Sequence, residues 1–124
     1  MNSATAVQAK YQGITADFAV DDYVISFSDV TVNLDRAIVI RDGKKLPFTA
    51  PEFELLTFFL QNPDRALTRD AILESVWSYL GSHNTRTVDA HVMRLRHKLE
   101  PEPDAPRHFV TVHMVGYRFS PNGA

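Results

Sequence analysis

Basic and hydrogen-bonding side chains recur along one side of residues 85–99. At about 100° per residue, a helix here would bury one apolar stripe, made of Val88, Val92, Leu95 and Leu99. Its opposite side would carry Arg86, Ala90, Met93, Arg94 and His97, flanked by Thr87, His91 and Lys98. Arginine can bond bidentately to guanine O6 and N7 in the DNA major groove, and threonine or histidine can reach phosphates or base edges. On an isolated helix such a face is as readily explained by solvation, so its interpretation depends on the neighbouring elements.

Asp89 is the acidic residue near the edge of this basic surface. A carboxylate in the first turns of a helix interacts favourably with the helix dipole, and it can pair with a basic residue three or more positions away. We therefore expect Asp89 to support the first turn or to tether Arg86 or Arg96.

Enzymatic and metal-binding patterns are missing from the sequence. There is no cysteine, Gly-rich phosphate loop, His-Glu-x-x-His or Gly-x-Ser-x-Gly motif. His91 and His97 are six positions apart and do not share the i, i+4 ridge of a helical metal pair, and His83, His108 and His113 are scattered. The sequence predicts a protein that is not an enzyme, with no catalytic residues, no metal and no cofactor.

The overall charge does not by itself favour a nucleic-acid partner. The 124 residues have a formal net charge of -2, whereas DNA-binding domains usually carry a basic excess. Electrostatic attraction between basic side chains and phosphates extends only over about a Debye length, roughly 8 Å at physiological salt. The local charge of one face therefore matters more for DNA binding than the net charge of the whole chain. No signal peptide or membrane-spanning apolar run is visible, and the absence of cysteine is compatible with the cytoplasm. We expect a soluble cytoplasmic protein with no membrane partner.

Two kinds of periodicity divide the chain. Residues 1–22 have few large apolar side chains, which predicts a flexible tail or interdomain linker followed by one domain over residues 23–121. Alternating runs predict an antiparallel meander with strands at residues 24–27, 30–34, 37–40 and 44–48. Asp42-Gly43 marks the turn before the last of these runs.

Helical spacing begins at residue 49. Thr49 and Glu52 fit a capping box for a first helix that runs to about Gln61. Thr68 caps a second helix that ends near residue 79 or 80, and Thr85 caps a third helix that runs to Leu99. Alternation over residues 109–119 predicts a β-hairpin. A helix, a short turn, a cationic helix and a hairpin form the arrangement that presents a helix to DNA.

Four sequence motifs occur here in the order of a known family. They are Thr-Ala-Pro-Glu-Phe-Glu-Leu-Leu at residues 49–56, Val76-Trp77, Arg-Thr-Val-Asp-Ala-His-Val at 86–92 with Leu95-Arg96, and Val-Gly-Tyr-Arg-Phe at 115–119. With these motifs, residues 24–119 resemble the OmpR/PhoB-type effector domain of two-component response regulators. The resemblance implies an α+β winged helix-turn-helix with an N-terminal antiparallel four-stranded sheet, a three-helix bundle and a C-terminal β-hairpin wing.

The resemblance also implies a function. In that family the third helix enters the major groove, the wing reaches the adjacent minor groove, and two domains bind head to tail on direct repeats of double-stranded DNA. The loop at residues 78–85 would contact RNA polymerase. The expected function is sequence-specific DNA binding for transcriptional regulation, as the effector half of a phosphorelay response regulator. Because no N-terminal receiver domain fits into this length, we interpret the chain as a fragment or, alternatively, as a stand-alone effector.

The resemblance assigns candidate DNA-binding residues by position. Those that match phosphate-contacting or base-contacting positions of the helix are Arg86, Thr87, His91 and Arg94. Those that match positions contacting the DNA backbone are Trp77, Thr111 and Tyr117. Trp77 and Tyr117 are equally well explained as core residues. Met93, His97 and Lys98 on the helix and His113 on the wing complete the candidate set.

Two departures from the family pattern concern charge. Met93 stands where several relatives have arginine, and His113-Met114 replaces a frequent Arg-Gly at the wing tip. Arginine is favoured in a narrow minor groove by its negative potential, and a neutral histidine should weaken that contact. Our hypothesis is that a single copy binds DNA more weakly than its relatives do and depends more on dimer formation.

A winged-helix protein-interaction module without DNA binding is the alternative. The first two helices and their connection are acidic, with Glu52, Glu54, Asp64, Asp70 and Glu74, and such side chains do not favour phosphate. DNA binding through several phosphates should weaken steeply between about 50 and 200 mM salt, whereas an apolar protein contact should not. The two functions can also coexist on opposite sides of one domain.

Overall fold

The computed structural model describes residues 17–78 and 83–123, which divide into two compact units between Phe48 and Thr49. The first unit contains one antiparallel sheet whose strands pair in chain order. These strands are β1 (Val24–Phe27), β2 (Val30–Asn33), β3 (Ile38–Arg41) and β4 (Lys44–Leu46). Their bounds agree with the predicted strands to within two residues, so the predicted meander is confirmed. None of the helices in the described ranges is long and apolar enough to cross a lipid bilayer.

The predicted tail, residues 1–22, is described only from residue 17 onward. Phe18 is buried against Val24 and Ile40 of the sheet. Asn33 Nδ2 donates hydrogen bonds to the Asp17 carbonyl oxygen (2.9 Å) and to Asp22 Oδ2 (2.8 Å). Residues 17–22 are therefore packed parts of the first unit, where the composition predicts a flexible tail. The segment is held by one buried aromatic side chain and a few polar contacts, and composition is not sensitive to so few residues.

The second unit begins with α1 (Ala50–Leu60). The Thr49 N–H donates to Glu52 Oε1 (2.9 Å) and the Glu52 N–H donates to Thr49 Oγ1 (3.3 Å), which confirms the capping box. Gln61 caps the C-terminal end. The cap satisfies backbone groups that the first turn leaves without intrahelical partners.

The next two helices are α2 (Arg69–Trp77) and α3 (Thr85–Leu99). Thr68 caps α2 as predicted, while the predicted end at residue 79 or 80 lies outside the described residues. The predicted cap of α3 at Thr85 is wrong by one residue. Asn84 is the N-cap, because its Oδ1 accepts a hydrogen bond from the Arg86 N–H (3.0 Å) and thereby places Thr85 inside the helix.

The predicted hairpin consists of β6 (Phe109–Val112) and β7 (Gly116–Phe119), and it is called the wing below. A third strand, β5 (Leu67–Thr68), pairs with β7 and was not predicted. Leu67 stands opposite Tyr117 in this pairing. A Cβ atom on Gly116 would lie 2.1 Å from the Leu67 carbonyl oxygen, so the close approach of β5 and β7 requires glycine there.

Ring packing and a set of backbone hydrogen bonds help to fix the wing to the helices. The Phe109 ring lies between Phe59 of α1 and Phe119 of β7, with ring centroids 5.6 Å and 5.3 Å away. After α3, the buried carboxylate of Glu100 accepts hydrogen bonds from the backbone N–H groups of residues 107, 108 and 109. The acidic, proline-rich segment that follows α3 is thus folded back onto the helix end, and the wing starts from a defined point.

Candidate nucleic-acid interface

Helix α3 separates its core side from its exposed side as the spacing predicts. The apolar stripe of Val88, Val92, Leu95 and Leu99 is fully buried. Exposed on the other side are Arg86, Ala90, Met93, Arg94 and His97, and the flanking Thr87, His91 and Lys98 are half-buried. Burial of four apolar side chains holds the helix in place, and this leaves two arginines on a surface that faces solvent.

Asp89 pairs with residues outside its helix, so the predicted tether to Arg86 or Arg96 is wrong. Arg69 Nε donates to Asp89 Oδ1 (3.0 Å), and Arg69 Nη2 donates to Oδ2. The Tyr117 hydroxyl also donates to Asp89 Oδ1 (2.8 Å). Arg69 opens α2 and Tyr117 lies on the wing, so the carboxylate joins three elements that no local spacing rule could connect.

The protonation states of this cluster follow from its contacts. Burial alone would raise the pKa of Asp89, but the hydrogen bonds from Arg69 and Tyr117 outweigh it and lower that pKa below its ordinary value. The hydrogen bond to Asp89 raises the pKa of Arg69. Burial, aided by the bond to Asp89, raises the pKa of Tyr117 to about 12. The arrangement is thus a charged pair with a neutral phenol at physiological pH.

Arg96 connects α3 to the wing directly. Its Nε donates to the Phe109 carbonyl oxygen (2.8 Å) and its Nη2 donates to Thr111 Oγ1 (2.9 Å). Its guanidinium carbon also lies 5.6 Å from the centroid of the Tyr117 ring, within cation–π distance. We call Arg69, Asp89, Arg96 and Tyr117 the α3–wing junction. The positioning roles of Arg69 and Arg96 were missed, since their partners are distant in sequence.

Lys98, a predicted DNA-binding residue, lies in an ion pair with α1. Its Nζ donates to Glu52 Oε1 (2.6 Å), the same oxygen that accepts the Thr49 N–H in the capping box. Burial alone would raise the pKa of Glu52, but these bonds lower it overall. Glu52 is therefore part of the packing between α1 and α3, and it is not part of an acidic surface.

His91 and Trp77 pack against each other. The Trp77 side chain is buried, and its ring meets the His91 ring edge to face with centroids 4.9 Å apart. His91 Nδ1 lies 2.8 Å from the Thr87 carbonyl oxygen, and Arg94 Nη1 lies 3.3 Å from His91 Nε2. The burial of Trp77 favours its interpretation as a core residue, while Arg94 remains exposed at the end of this chain of contacts.

The turn of the wing, residues 113–115, is exposed and contains no Asp, Glu, Lys or Arg side chain. The Val115 N–H donates to the Val112 carbonyl oxygen (3.0 Å) and closes the turn. Met114 is 92% exposed and adopts a φ of 63°, in the left-handed region that favours glycine. His113 and Thr111 are also exposed. The turn presents an imidazole and a long apolar side chain to solvent.

Six of the predicted DNA-binding residues are exposed, four on α3 and two on the wing. Exposed on α3 are Arg86, Met93, Arg94 and His97, and exposed on the wing are Thr111 and His113. Trp77, Lys98 and Tyr117 are engaged in packing, ion pairing and the α3–wing junction, respectively. Of the predicted polymerase-contacting loop, residues 79–82 lie outside the described residues. No group of three or more metal-binding side chains is found in residues 17–78 and 83–123.

Comparisons with known proteins all find transcriptional regulatory proteins. The family model described as "Transcriptional regulatory protein, C terminal" matches residues 43–119. The DNA-binding response regulator MtrA of Mycobacterium tuberculosis is 39% identical over 98 residues, which cover 79% of this chain and 43% of MtrA. The chain spans less than half the length of this relative.

Solved structures of the same group match the fold. The response regulator DrrB, a Thermotoga maritima OmpR/PhoB homolog, matches with a TM-score of 0.73 and 26% identity over 95% of this chain and 52% of DrrB. The DNA-binding domain of Klebsiella pneumoniae RstA, solved in complex with the RstA box, matches with a TM-score of 0.66 and 28% identity. That match covers 80% of this chain and 98% of the RstA domain. The chain is thus similar to about half of a response regulator and to nearly all of an isolated DNA-binding domain.

Proposed function

The chain belongs to the family of C-terminal domains of transcriptional regulatory proteins, of the OmpR/PhoB winged-helix type, and from this premise we propose that it binds double-stranded DNA sequence-specifically to regulate transcription. Helix α3 enters the major groove, and the turn of the wing lies at the adjacent minor groove. The protein acts as the effector half of a phosphorelay response regulator.

The exposed face of α3 is the observation that supports this proposal most strongly. A helix fits the major groove, which is about 12 Å wide, and an exposed arginine there can bond bidentately to guanine. Arg86 and Arg94 project from a helix that four buried side chains hold in place. The one carboxylate of the helix, Asp89, is paired with Arg69, so it adds little repulsion towards phosphates.

Exposure and pairing divide the candidate residues by proposed role. Arg94, with Met93 and His97 beside it, reads base edges, while Arg86, Thr87 and Thr111 contact phosphates. His113 approaches the minor groove. Tyr117 and Trp77 support the interface from within, because the hydroxyl of Tyr117 is bonded to Asp89 and the Trp77 side chain is buried. Lys98 is paired with Glu52, so it adds little attraction towards phosphates and contributes by holding α3 against α1.

The wider context is proposed from the family. Two copies bind head to tail on direct repeats, an N-terminal receiver domain supplies the phosphorylation signal, and the loop at residues 78–85 contacts RNA polymerase in the cytoplasm. Asp64, Asp70 and Glu74 are exposed and acidic, which suits a protein partner rather than phosphate. A protein-interaction role without DNA binding is therefore the second candidate function.

Selection of binding sites from random DNA, followed by Arg94→Ala, tests the proposal. We expect wild type to enrich one sequence and Arg94→Ala to lose about 1 to 3 kcal/mol of discrimination at one guanine. Arg65→Ala is the matched control, since it removes an exposed arginine from the connection after α1. Unchanged preference in Arg94→Ala would contradict the docking.

The salt dependence of the affinity separates the two candidate functions. Phosphate contacts release counterions, so the affinity for DNA should fall steeply between about 50 and 200 mM salt. Enrichment of no sequence, with weak binding that varies little with salt, would instead favour the protein-interaction module.

A further inference from the structure

The ring of His91 is held from two directions. Its Nδ1 lies 2.8 Å from the carbonyl oxygen of Thr87, one helical turn earlier, and its ring packs edge to face on Trp77 at an angle of 65°. Trp77 is buried at the end of α2, so the surface against which the imidazole packs is itself fixed. Histidine has only two side-chain torsions, and these two contacts determine both of them. The direction of Nε2 is thereby set by the fold.

The contact with Thr87 also determines which ring nitrogen of His91 carries a hydrogen. A carbonyl oxygen can only accept, so Nδ1 must carry the hydrogen and donate it. In the neutral ring, Nε2 then carries a lone pair and can only accept. Arg94 Nη1 lies 3.3 Å from Nε2 and donates to it. A neutral His91 of this tautomer has no hydrogen to offer a phosphate oxygen at Nε2.

This bond restricts the guanidinium of Arg94. The side chain is exposed, and an unrestrained arginine loses rotamer freedom when it binds a base. One hydrogen of Nη1 points to His91, while the Nε and Nη2 hydrogens remain for other acceptors. A bidentate contact with guanine O6 and N7 needs two donors in a plane, which these groups still provide.

We propose that His91 is a positioning residue that holds the Arg94 guanidinium for a guanine, and that it contributes to base discrimination through Arg94 rather than by touching DNA. The inference rests on the proposed DNA binding and gives His91 a role different from the phosphate or base contact that the family position implies. The base that the pair reads is a guanine with O6 and N7 accessible in the major groove.

The test uses two substitutions at residue 91 together with Arg94→Ala. His91→Phe keeps an aromatic ring against Trp77 and removes both nitrogens, whereas His91→Gln supplies a new acceptor near the position of Nε2. Affinities are measured for the selected site and for the same site with 7-deazaguanine at the base where Arg94→Ala loses discrimination. Thermal unfolding of each variant monitors the fold.

We expect His91→Phe to weaken binding to the guanine site by about two- to tenfold, the effect of one hydrogen bond. On the 7-deazaguanine site and in the Arg94→Ala background, His91→Phe should change the affinity hardly at all. The reason is that the effects of two residues that act as a unit are not additive. His91→Gln should recover part of the loss. The salt dependence should not change.

Three results would overturn the proposal. One is an unchanged affinity of His91→Phe for the guanine site. A second is a loss that persists in the Arg94→Ala background and is equal on all sequences, together with a smaller salt slope, which is the signature of a phosphate contact. A third is a loss equal on both sites that follows a lowered melting temperature, which is the signature of a purely structural role. If wild type itself shows no sequence preference, the proposed function fails, which is a separate result.

Discussion

The exposed face of α3 and the turn of the wing present different chemistry towards the same proposed partner. On α3, Arg86 and Arg94 are exposed on a helix with four fully buried side chains. On the wing, the turn exposes His113 and Met114, and Met114 occupies a left-handed backbone conformation. The nearby cations Arg69 and Arg96 are bonded inside the α3–wing junction. The arginines nearest the wing turn thus hold the wing in place, whereas the exposed Arg86 and Arg94 lie on α3.

The largest effect is expected where β5 meets the wing. Gly116→Ala would push a Cβ atom to 2.1 Å from the Leu67 carbonyl oxygen, so the strands must separate. We expect the free energy of unfolding to fall by about 3 kcal/mol, at the upper end of the cost of overpacking. Urea denaturation measures it.

The matched control is Gly43→Ala. Gly43 has a φ of 76°, but no atom lies within 4 Å of the added Cβ. Gly43→Ala should therefore lower the free energy of unfolding by about 1 kcal/mol, the cost of a Cβ atom in the left-handed backbone conformation. Equal losses in the two variants would show that the close approach of β5 does not constrain the wing.

Asp89→Asn removes the charge at the centre of the α3–wing junction. Arg69 then loses its carboxylate partner and Tyr117 loses a charged acceptor. Hydrogen bonds to charged groups contribute about 1.5 to 3 kcal/mol, and partial exposure screens the pair, so we expect a loss of about 2 kcal/mol in urea denaturation. Asp104→Asn, an exposed aspartate after α3, is the control and should change little. A similar loss in both variants would contradict a specific role for Asp89.

The pH dependence of stability provides a second measurement on the same variant. The pKa of Asp89 is lower in the folded protein than in the unfolded chain. Asp89 therefore stabilises the fold above the ordinary aspartate pKa, and this stabilisation is lost as the pH falls through the pKa of the folded state. The lowered pKa values of Asp22 and Glu52 act in the same direction. Wild type should therefore lose stability on acidification below about pH 4, and Asp89→Asn should lose less over that range. If wild type and Asp89→Asn lose the same stability on acidification, groups other than Asp89 cause the pH dependence.

The sequence allows the exposed face of α3 to be predicted, but not the contacts that hold the wing. The buried stripe and exposed face of α3 follow from spacing, and the capping box of α1 from four residues. In contrast, β5 has two residues and shows no periodicity, and its partner Tyr117 lies fifty positions later. Asp89 pairs with Arg69, twenty positions earlier, instead of with its helical neighbours. Such contacts depend on tertiary packing, so no local pattern indicates them.

Met114→Gly tests whether the wing turn is strained. A side chain at a φ of 63° costs about 1 kcal/mol relative to glycine, so we expect the melting temperature to rise. Met114→Ala shortens the side chain but keeps a Cβ atom at the same φ, and it should give no such increase. Scanning calorimetry of the three proteins measures the difference. If glycine and alanine behave alike, the backbone of the turn is not strained.

His113→Arg adds to the wing turn the charge that α3 already has, and it should produce the smallest change. One exposed arginine near phosphates should strengthen binding to DNA with a single half-site by about 0.5 kcal/mol and steepen the salt slope by about 0.9. Glu102→Gln, in the segment after α3, raises the net charge equally and should leave that slope nearly unchanged. If a neutral turn makes one copy depend on a second, the advantage of two half-sites over one should become smaller in His113→Arg. An unchanged single-site affinity and salt slope would mean that the turn does not approach the DNA backbone, and dependence on a second copy would then need a cause other than the charge of the wing.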